Sequence, residues 1–242
     1  MTTVVAPKIS STEVPHEAFS SSFVSSRSPN DQLGYNAEAF GDHIDLGQEK
    51  VNVAVILDFD ETLAYRRNQR LIAMPGSKKL LSQLKELEIP VSIITNGNKT
   101  HLKHSIKKLG FEHLIDLKCV YARAKDDTSN KVERFKWACN DMFGSATGKK
   151  FVAFLDDRPS SHEKLHASRE EFAHEIGKDI VVHLVGLNSG IEFARTNEAD
   201  RIGMTDQHFI DSGANDVVTW PDDLLRLSTF TEAVSRMKSL VA

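Results

Sequence analysis

From Val51 onward the chain alternates short apolar runs with amphipathic stretches, and this alternation restricts it to one broad architecture. The runs at 53–57, 91–94, 117–121, 151–155 and 180–185 are those of strands buried on both faces. Between them, 77–87, 99–109, 131–143 and 160–176 read as helices; leucines 80, 81, 84 and 87 fall on one helical face. Pro75-Gly76 punctuates the first of these helices, and Gly110, Gly144 and Gly177 follow the ends of the other three. Strands that recur with one helix between them pair most economically through parallel crossovers. The sequence therefore predicts a three-layer α/β/α sandwich around a central parallel sheet.

Two regions flank this core. Residues 1–48 are rich in serine (Ser10, Ser11, Ser20, Ser21, Ser22, Ser25, Ser26, Ser28) and show no strand or helix period, so a mostly disordered segment is expected there. The folded domain is then 49–242, with a core at 51–185 and an extension at 186–242. In that extension Trp220-Pro-Asp-Asp opens one helix. Thr229 and Glu232 form a capping box for a last helix carrying Phe230, Val234, Met237 and Val241. The first residues have neither the basic and apolar order of a secretory signal nor the arginine-rich, acid-poor character of a transit peptide. A cytoplasmic location is expected; export as an effector by a route that needs no apolar core is the alternative. Thirty Lys and Arg against thirty-four Asp and Glu give a net charge of −4, which excludes a global basic field for general nucleic-acid binding. No apolar run approaches the ~18 residues of a spanning helix, so membrane insertion is not expected. Cys119 and Cys139 have no metal-ligand spacing and form no disulfide framework.

In open parallel sheets, ligands bind beyond the carboxyl ends of the strands, so the residues after each run carry the chemistry. They are Asp58-Phe-Asp60-Glu-Thr62, then Thr95-Asn96-Gly97-Asn98, then Asp156-Asp157-Arg158. Four carboxylates on one rim are unfavourable unless a cation neutralises them. Oxygen ligands with no cysteine or histidine beside them suit Mg²⁺.

These residues resemble the haloacid dehalogenase superfamily. Its four motifs correspond here to LDFDETL at 57–63, IITNGN at 93–98, a lysine near a helix start, and FLDDRP at 154–159. The DETL form of the first motif also resembles carboxy-terminal-domain phosphatases of that superfamily. The resemblance covers 51–185 and implies a Mg²⁺-dependent phosphatase working through an aspartyl phosphate. It implies Asp58 as nucleophile and Asp60 as general acid and base. Thr95 and Lys131 would hold the phosphoryl oxygens, with Lys125 as the alternative lysine. Asp58, the carbonyl of Asp60, Asp156 and Asp157 would be the metal ligands, and Thr62 and Asn96 would lie at the substrate. Superfamily members that act on carbon–halogen bonds lack the second aspartate, so Asp60 favours phosphoryl transfer and argues against a non-catalytic phosphate-binding module.

The gaps between Asp58 and Thr95, and between Thr95 and Lys131, are too short for a cap domain of ~50 residues. An open rim suits a phosphate displayed on a phosphoprotein, as phosphotyrosine or phosphoserine, unless 186–216 covers it. A small phosphate ester or a polynucleotide end is the alternative substrate. Arg66, Arg67 and Arg70 would stand on a flap beside this opening, where guanidinium forks bind phosphate or acidic groups. One rival enzyme pattern is present: His162-Glu-Lys-Leu-His166 matches the HExxH of zinc peptidases, with Glu192 or His174 as third ligand. Gly144–Lys150 has one residue too few for a phosphate-binding loop and precedes a strand.

Overall fold

The structure is a computed structural model that describes residues 46, 51–123, 128–189 and 204–239, all within the unit Phe40–Ala242. Its elements run β1 (Val51–Leu57), β2 (Ala64–Arg67), β3 (Arg70–Ala73), α1 (Ser77–Glu86), β4 (Val91–Asn98), α2 (Lys99–Lys108) and β5 (Val120–Arg123). They continue with α3 (Lys131–Phe143), β6 (Lys149–Asp156), α4 (Pro159–Ala167), α5 (Arg169–Glu175), β7 (Ile180–Leu187), α6 (Asp206–Asp211), β8 (Asp216–Val218) and α7 (Ser228–Lys238).

Six strands form one sheet in the order β5-β4-β1-β6-β7-β8, and every neighbouring pair is parallel. The chain leaves the central β1 toward β4 and β5, then returns to β6 on the other side of β1. The strand order therefore reverses between β1 and β6, the crevice where open α/β sheets hold ligands. One core layer packs Leu80, Leu81 and Leu84 of α1, Leu102 and Ile106 of α2, and Phe230 and Ala233 of α7 against Val53, Val55 and Leu57. The other packs Phe135 and Cys139 of α3, Leu165 of α4 and Phe172 of α5 against Ala54, Ile56, Val152 and Phe154. Alternate residues of β1 thus face opposite layers, which explains its unbroken apolar run.

Four expected boundaries change. The third strand begins only at Val120, because Leu117–Cys119 forms a 3-10 turn capped by Asp116, whose carboxylate accepts from the Lys118 N–H at 2.9 Å. The expected helix 160–176 is two helices interrupted at Ser168 (ψ 8°), a residue whose hydroxyl makes it a weak helix former. The helix expected at Trp220 is a 3-10 segment, Pro221–Arg226, in which Asp223 accepts from the Trp220 N–H at 3.0 Å. The last helix starts at Ser228 with Leu227 at its cap and no side-chain cap bond, so the Thr229–Glu232 box is not made; Glu232 pairs with Arg236 instead. Val241 lies outside the described residues. β8, three residues long, adds a sixth strand that its length conceals in the sequence.

Leu46 is 1% exposed and belongs to the core that faces α1, so a boundary at 48 would cut away one core side chain. Leu46→Ala should cost about 2–5 kcal/mol of unfolding free energy. Denaturant titration checks this, and a loss below ~0.5 kcal/mol, the range of surface substitutions, would show that Leu46 does not pack in the core. Among the described residues no helix is long and apolar enough to cross a membrane.

Candidate active site

Strand register builds the site. Leu57 of β1 is opposite Leu155 of β6 and Ile93 of β4, so Asp58 and Asp156 leave the sheet at the same level, with Thr95 beside them. The Asp58 N–H donates to the Leu155 carbonyl at 2.9 Å, which carries the pairing one residue past β1. A tight turn follows: Glu61 is left-handed (φ 67°), its N–H donates to the Ala64 carbonyl at 2.6 Å, and a backbone bridge joins Asp60 to Ala64.

Asp58, Asp156 and Asp157 are all buried, and each offers a carboxylate oxygen within 4.8 Å of the others. The Lys131 ammonium bridges two of them, at 2.6 Å from Asp58 and 2.5 Å from Asp156. Its position is set locally: Asn130 and Glu133 form a reciprocal capping box, which fixes Lys131 as the first residue of α3. Burial would lower the lysine's pKa, but the carboxylates of Asp156 and Asp58 outweigh it and raise it above the ordinary value. Burial pushes Asp58 up to about 7, against the pull of Lys131 and with a further push from Asp156. Burial, then Asp156 and Asp58, raise Asp157 well above the usual carboxylate range. Burial and mutual repulsion disfavour full ionisation of the three carboxylates even with Lys131 and Arg158 beside them, and the donor set is all hard oxygen. These residues fit a divalent cation of the Mg²⁺ class.

Further residues stand beside the cluster. Asp60 is half-buried, and its carboxylate accepts from the Thr95 hydroxyl at 3.5 Å. The Gly97 N–H donates to the same Thr95 oxygen at 3.0 Å; a Cβ at Gly97 would sit 3.2 Å from Asp60 Oδ2 and 3.3 Å from Thr95 Oγ1. Glycine here lets the backbone approach Asp60 and Thr95. Asn96 stands exposed at the rim with its side-chain oxygen accepting from Arg134 at 3.1 Å.

Thr62, expected at the substrate, faces the carboxylates in the structure. Thr62 is fully buried and its hydroxyl donates to Asp157 at 3.3 Å, so it orients a carboxylate from behind. Arg66, Arg67 and Arg70 lie on the β2–β3 hairpin, where Arg67 pairs with Arg70 and Arg66 with Leu71. Side chains alternate across a strand, so Arg67 and Arg70 share a face and Arg66 points to the other. Lys125 lies outside the described residues.

Two residues that support the site were not expected. Arg134 is 1% exposed; its guanidinium donates to the Thr95 carbonyl at 2.9 Å and to the Ser129 carbonyl at 2.7 Å, tying the carboxyl half of β4 to the segment before α3. An arginine within an amphipathic helix reads as solvent face, which hid it. His162 is fully buried, and its Nε2–H donates to the Asp156 carbonyl at 3.1 Å. Burial lowers its pKa and keeps the ring neutral. The zinc pattern is thus corrected: His162 faces inward to the acidic pair, His166 and His174 are exposed, and Glu192 lies outside the described residues. Among the described residues the one metal-capable cluster is that of the three aspartates.

Between about pH 4 and pH 7 the folded, metal-free protein holds a proton at Asp58 that the unfolded chain releases. This contribution to stability is complete below the ordinary carboxylate pKa and is lost as pH rises through 7. In chelator, the melting temperature of Asp58→Asn minus that of the wild type should therefore widen from about pH 4.5 to about pH 7.5. A gap independent of pH would mean that Asp58 is ionised throughout.

A family model described as haloacid dehalogenase-like hydrolase matches residues 16–136, half of the chain. No curated protein matches it. A putative beta-phosphoglucomutase from Thermotoga maritima has a similar structure at 13% identity and a TM-score of 0.50, over 74% of this chain and 98% of its own. A haloacid dehalogenase-like family hydrolase from Streptococcus pneumoniae gives 9% and 0.50, over 73% of this chain and 97% of its own. A haloacid dehalogenase-like protein of unknown function from Agrobacterium tumefaciens str. C58 gives 16% and 0.47 over 68% of this chain, which spans 63% of that protein's length. At these identities the likeness is one of fold.

Proposed function

The chain belongs to the haloacid dehalogenase-like hydrolases, and from that premise we propose that it is a Mg²⁺-dependent phosphatase acting on a phosphoprotein. The observation that carries this reading is the buried trio Asp58, Asp156 and Asp157 with Lys131 between the first two. Asp58 attacks phosphorus and forms an aspartyl phosphate, which splits one difficult displacement into two. Asp60, at the rim and beside the Thr95 hydroxyl, gives its proton to the departing oxygen and then takes one from the water that opens the intermediate. Lys131 and Thr95 hold the phosphoryl oxygens, and Lys131 also favours the ionised form of Asp58. Mg²⁺, held by Asp58, the Asp60 carbonyl, Asp156 and Asp157, would neutralise the charge that builds up on those oxygens. Thr62, Arg134 and His162 fix the positions of Asp157, Thr95 and Asp156.

The phosphoprotein reading rests on the absence of a cap among the described residues. From Asp58 to Thr95 the chain supplies only the β2–β3 hairpin and α1, and from Thr95 to Arg123 only α2, a 3-10 turn and β5. Residues 190–203, within the stretch that the sequence left as a cover, lie outside the described residues. Arg67 and Arg70 oppose each other across the hairpin, an unfavourable like-charge pair that an anionic substrate would relieve. Hydrolysis of p-nitrophenyl phosphate and of phosphotyrosine and phosphoserine peptides tests the reading. Arg67→Ala with Arg70→Ala should lower kcat/KM on the best peptide by about tenfold, roughly 1.4 kcal/mol, and leave the aryl phosphate nearly unchanged. Better turnover of small sugar phosphates than of any peptide would overturn the choice of substrate.

A further inference from the structure

We propose that the solvent face of α2 is a docking strip for an acidic, extended segment of the phosphoprotein substrate, an inference that rests on the phosphatase reading above. The helix begins four residues after Thr95, at the rim of the site. It buries Leu102, Ser105 and Ile106, and its exposed positions are Lys99, Thr100, His101, Lys103, His104, Lys107 and Lys108. No acidic residue occurs between Lys99 and Lys108, although the whole chain carries a net charge of −4.

This arrangement works against the helix itself. Lys99 occupies the first turn, where the helix dipole disfavours a cation, and no acid accompanies it. Lys99, Lys103 and Lys107 follow one another at i,i+4 spacing, and such like-charge neighbours cost a helix about 0.2–0.5 kcal/mol per pair. Among the described residues none of the four lysines makes an ion pair or a hydrogen bond. Other helices pair some of their cations, Lys79 with Asp222, Lys136 with Glu171 and Glu175, Arg236 with Glu232, and leave single lysines such as Lys78 and Lys164 unpaired among the described residues; α2 is the helix that gathers four. A cationic face with no internal partner is complementary to an external anion.

Spacing suits an acidic peptide, the class of anion that a phosphoprotein substrate supplies. Four helical residues advance ~6 Å, so Lys99, Lys103 and Lys107 form a row with that repeat. Two residues of an extended peptide advance ~6.6 Å, so acids at alternate positions of a peptide meet the row in register. Single-stranded nucleic acid is held chiefly on Phe, Tyr and Trp platforms, and none of these lies on α2, whose rings are His101 and His104.

The test uses the full chain and phosphopeptides that differ only in flanking residues: Asp or Glu at alternate positions, on either side of the phosphate, or Asn and Gln in their place. The acidic series should show a kcat/KM at least about tenfold higher at low salt, with the advantage shrinking as salt rises. Lys99→Ala, Lys103→Ala and Lys107→Ala together should abolish that preference and leave p-nitrophenyl phosphate hydrolysis within about twofold of wild type. Circular dichroism confirms that the triple variant is folded; if it is not, Lys103→Gln with Lys107→Gln is the substitute. No acidic preference in the wild type, or a preference that survives the substitutions, overturns the proposal. So does a 5′-phosphorylated oligonucleotide that outperforms the acidic peptides and loses its advantage in the variant. Failure of the wild type on every phosphate ester would instead strike the phosphatase reading. Fluorescence anisotropy with the unphosphorylated acidic peptide would still decide whether α2 binds it.

Discussion

Replacing Asp58 by asparagine should lower kcat on any phosphate ester by at least about a hundredfold and leave the fold intact. The substitution is nearly isosteric and sits at the end of β1, where the backbone bond from its N–H to the Leu155 carbonyl is unaffected. It removes the anionic oxygen that would attack phosphorus, and an amide cannot replace that nucleophile. It also relieves a buried carboxylate whose ionised form is disfavoured by its surroundings. Loss of activity should therefore accompany an unchanged or raised melting temperature at neutral pH in chelator. A joint loss of stability and activity would point to a structural role instead.

Removal of divalent metal should have an effect of similar size, with activity falling at least about a hundredfold and returning on addition of Mg²⁺. Lys131 is the ammonium that pairs with Asp58 and Asp156, the Arg158 N–H also donates to Asp156 at 2.8 Å, and the Thr62 hydroxyl donates to Asp157. Without a cation the cluster takes up protons, and a protonated Asp58 is no nucleophile. Binding only to the folded state also stabilises it, by about 2.7 kcal/mol at a metal concentration a hundred times Kd. Mg²⁺ should therefore raise the melting temperature of the wild type and do so far less for Asp156→Asn. Activity in chelator equal to that in Mg²⁺, or stoichiometric zinc lost together with activity in His162→Ala, would contradict the assignment of the metal site.

The core of the fold was legible because each strand of the sheet's centre is buried on both faces, and only a parallel arrangement with helices on either side accommodates such runs. The same logic located Asp58, Thr95 and Asp156, since residues that directly follow buried strands must emerge at one rim. Lys131 was legible as a lysine at a helix start, although the capping box of Asn130 and Glu133 that makes it the first helical residue was not read. What escaped was set by contacts distant in sequence. Thr62 looked like a substrate ligand because it follows two catalytic-looking aspartates, yet its hydroxyl turns inward to Asp157. Arg134 carried no motif signal and His162 stood out only in the zinc pattern, and only tertiary packing shows one gripping the Thr95 carbonyl and the other the Asp156 carbonyl. The three flap arginines had the right hairpin, but register divides them between its two faces.

The central claim is that Asp58 becomes phosphorylated, and the most direct measurement is a single-turnover reaction with Mg²⁺, quenched in acid within the first turnover and analysed by peptide mass spectrometry. The account predicts one phosphate on the peptide that contains Asp58, absent from Asp58→Asn. It also predicts that the adduct accumulates in Asp60→Asn when an activated aryl ester, which needs no proton at its leaving group, is the substrate. Full turnover with no adduct on that peptide, or an adduct that persists in Asp58→Asn, would contradict it.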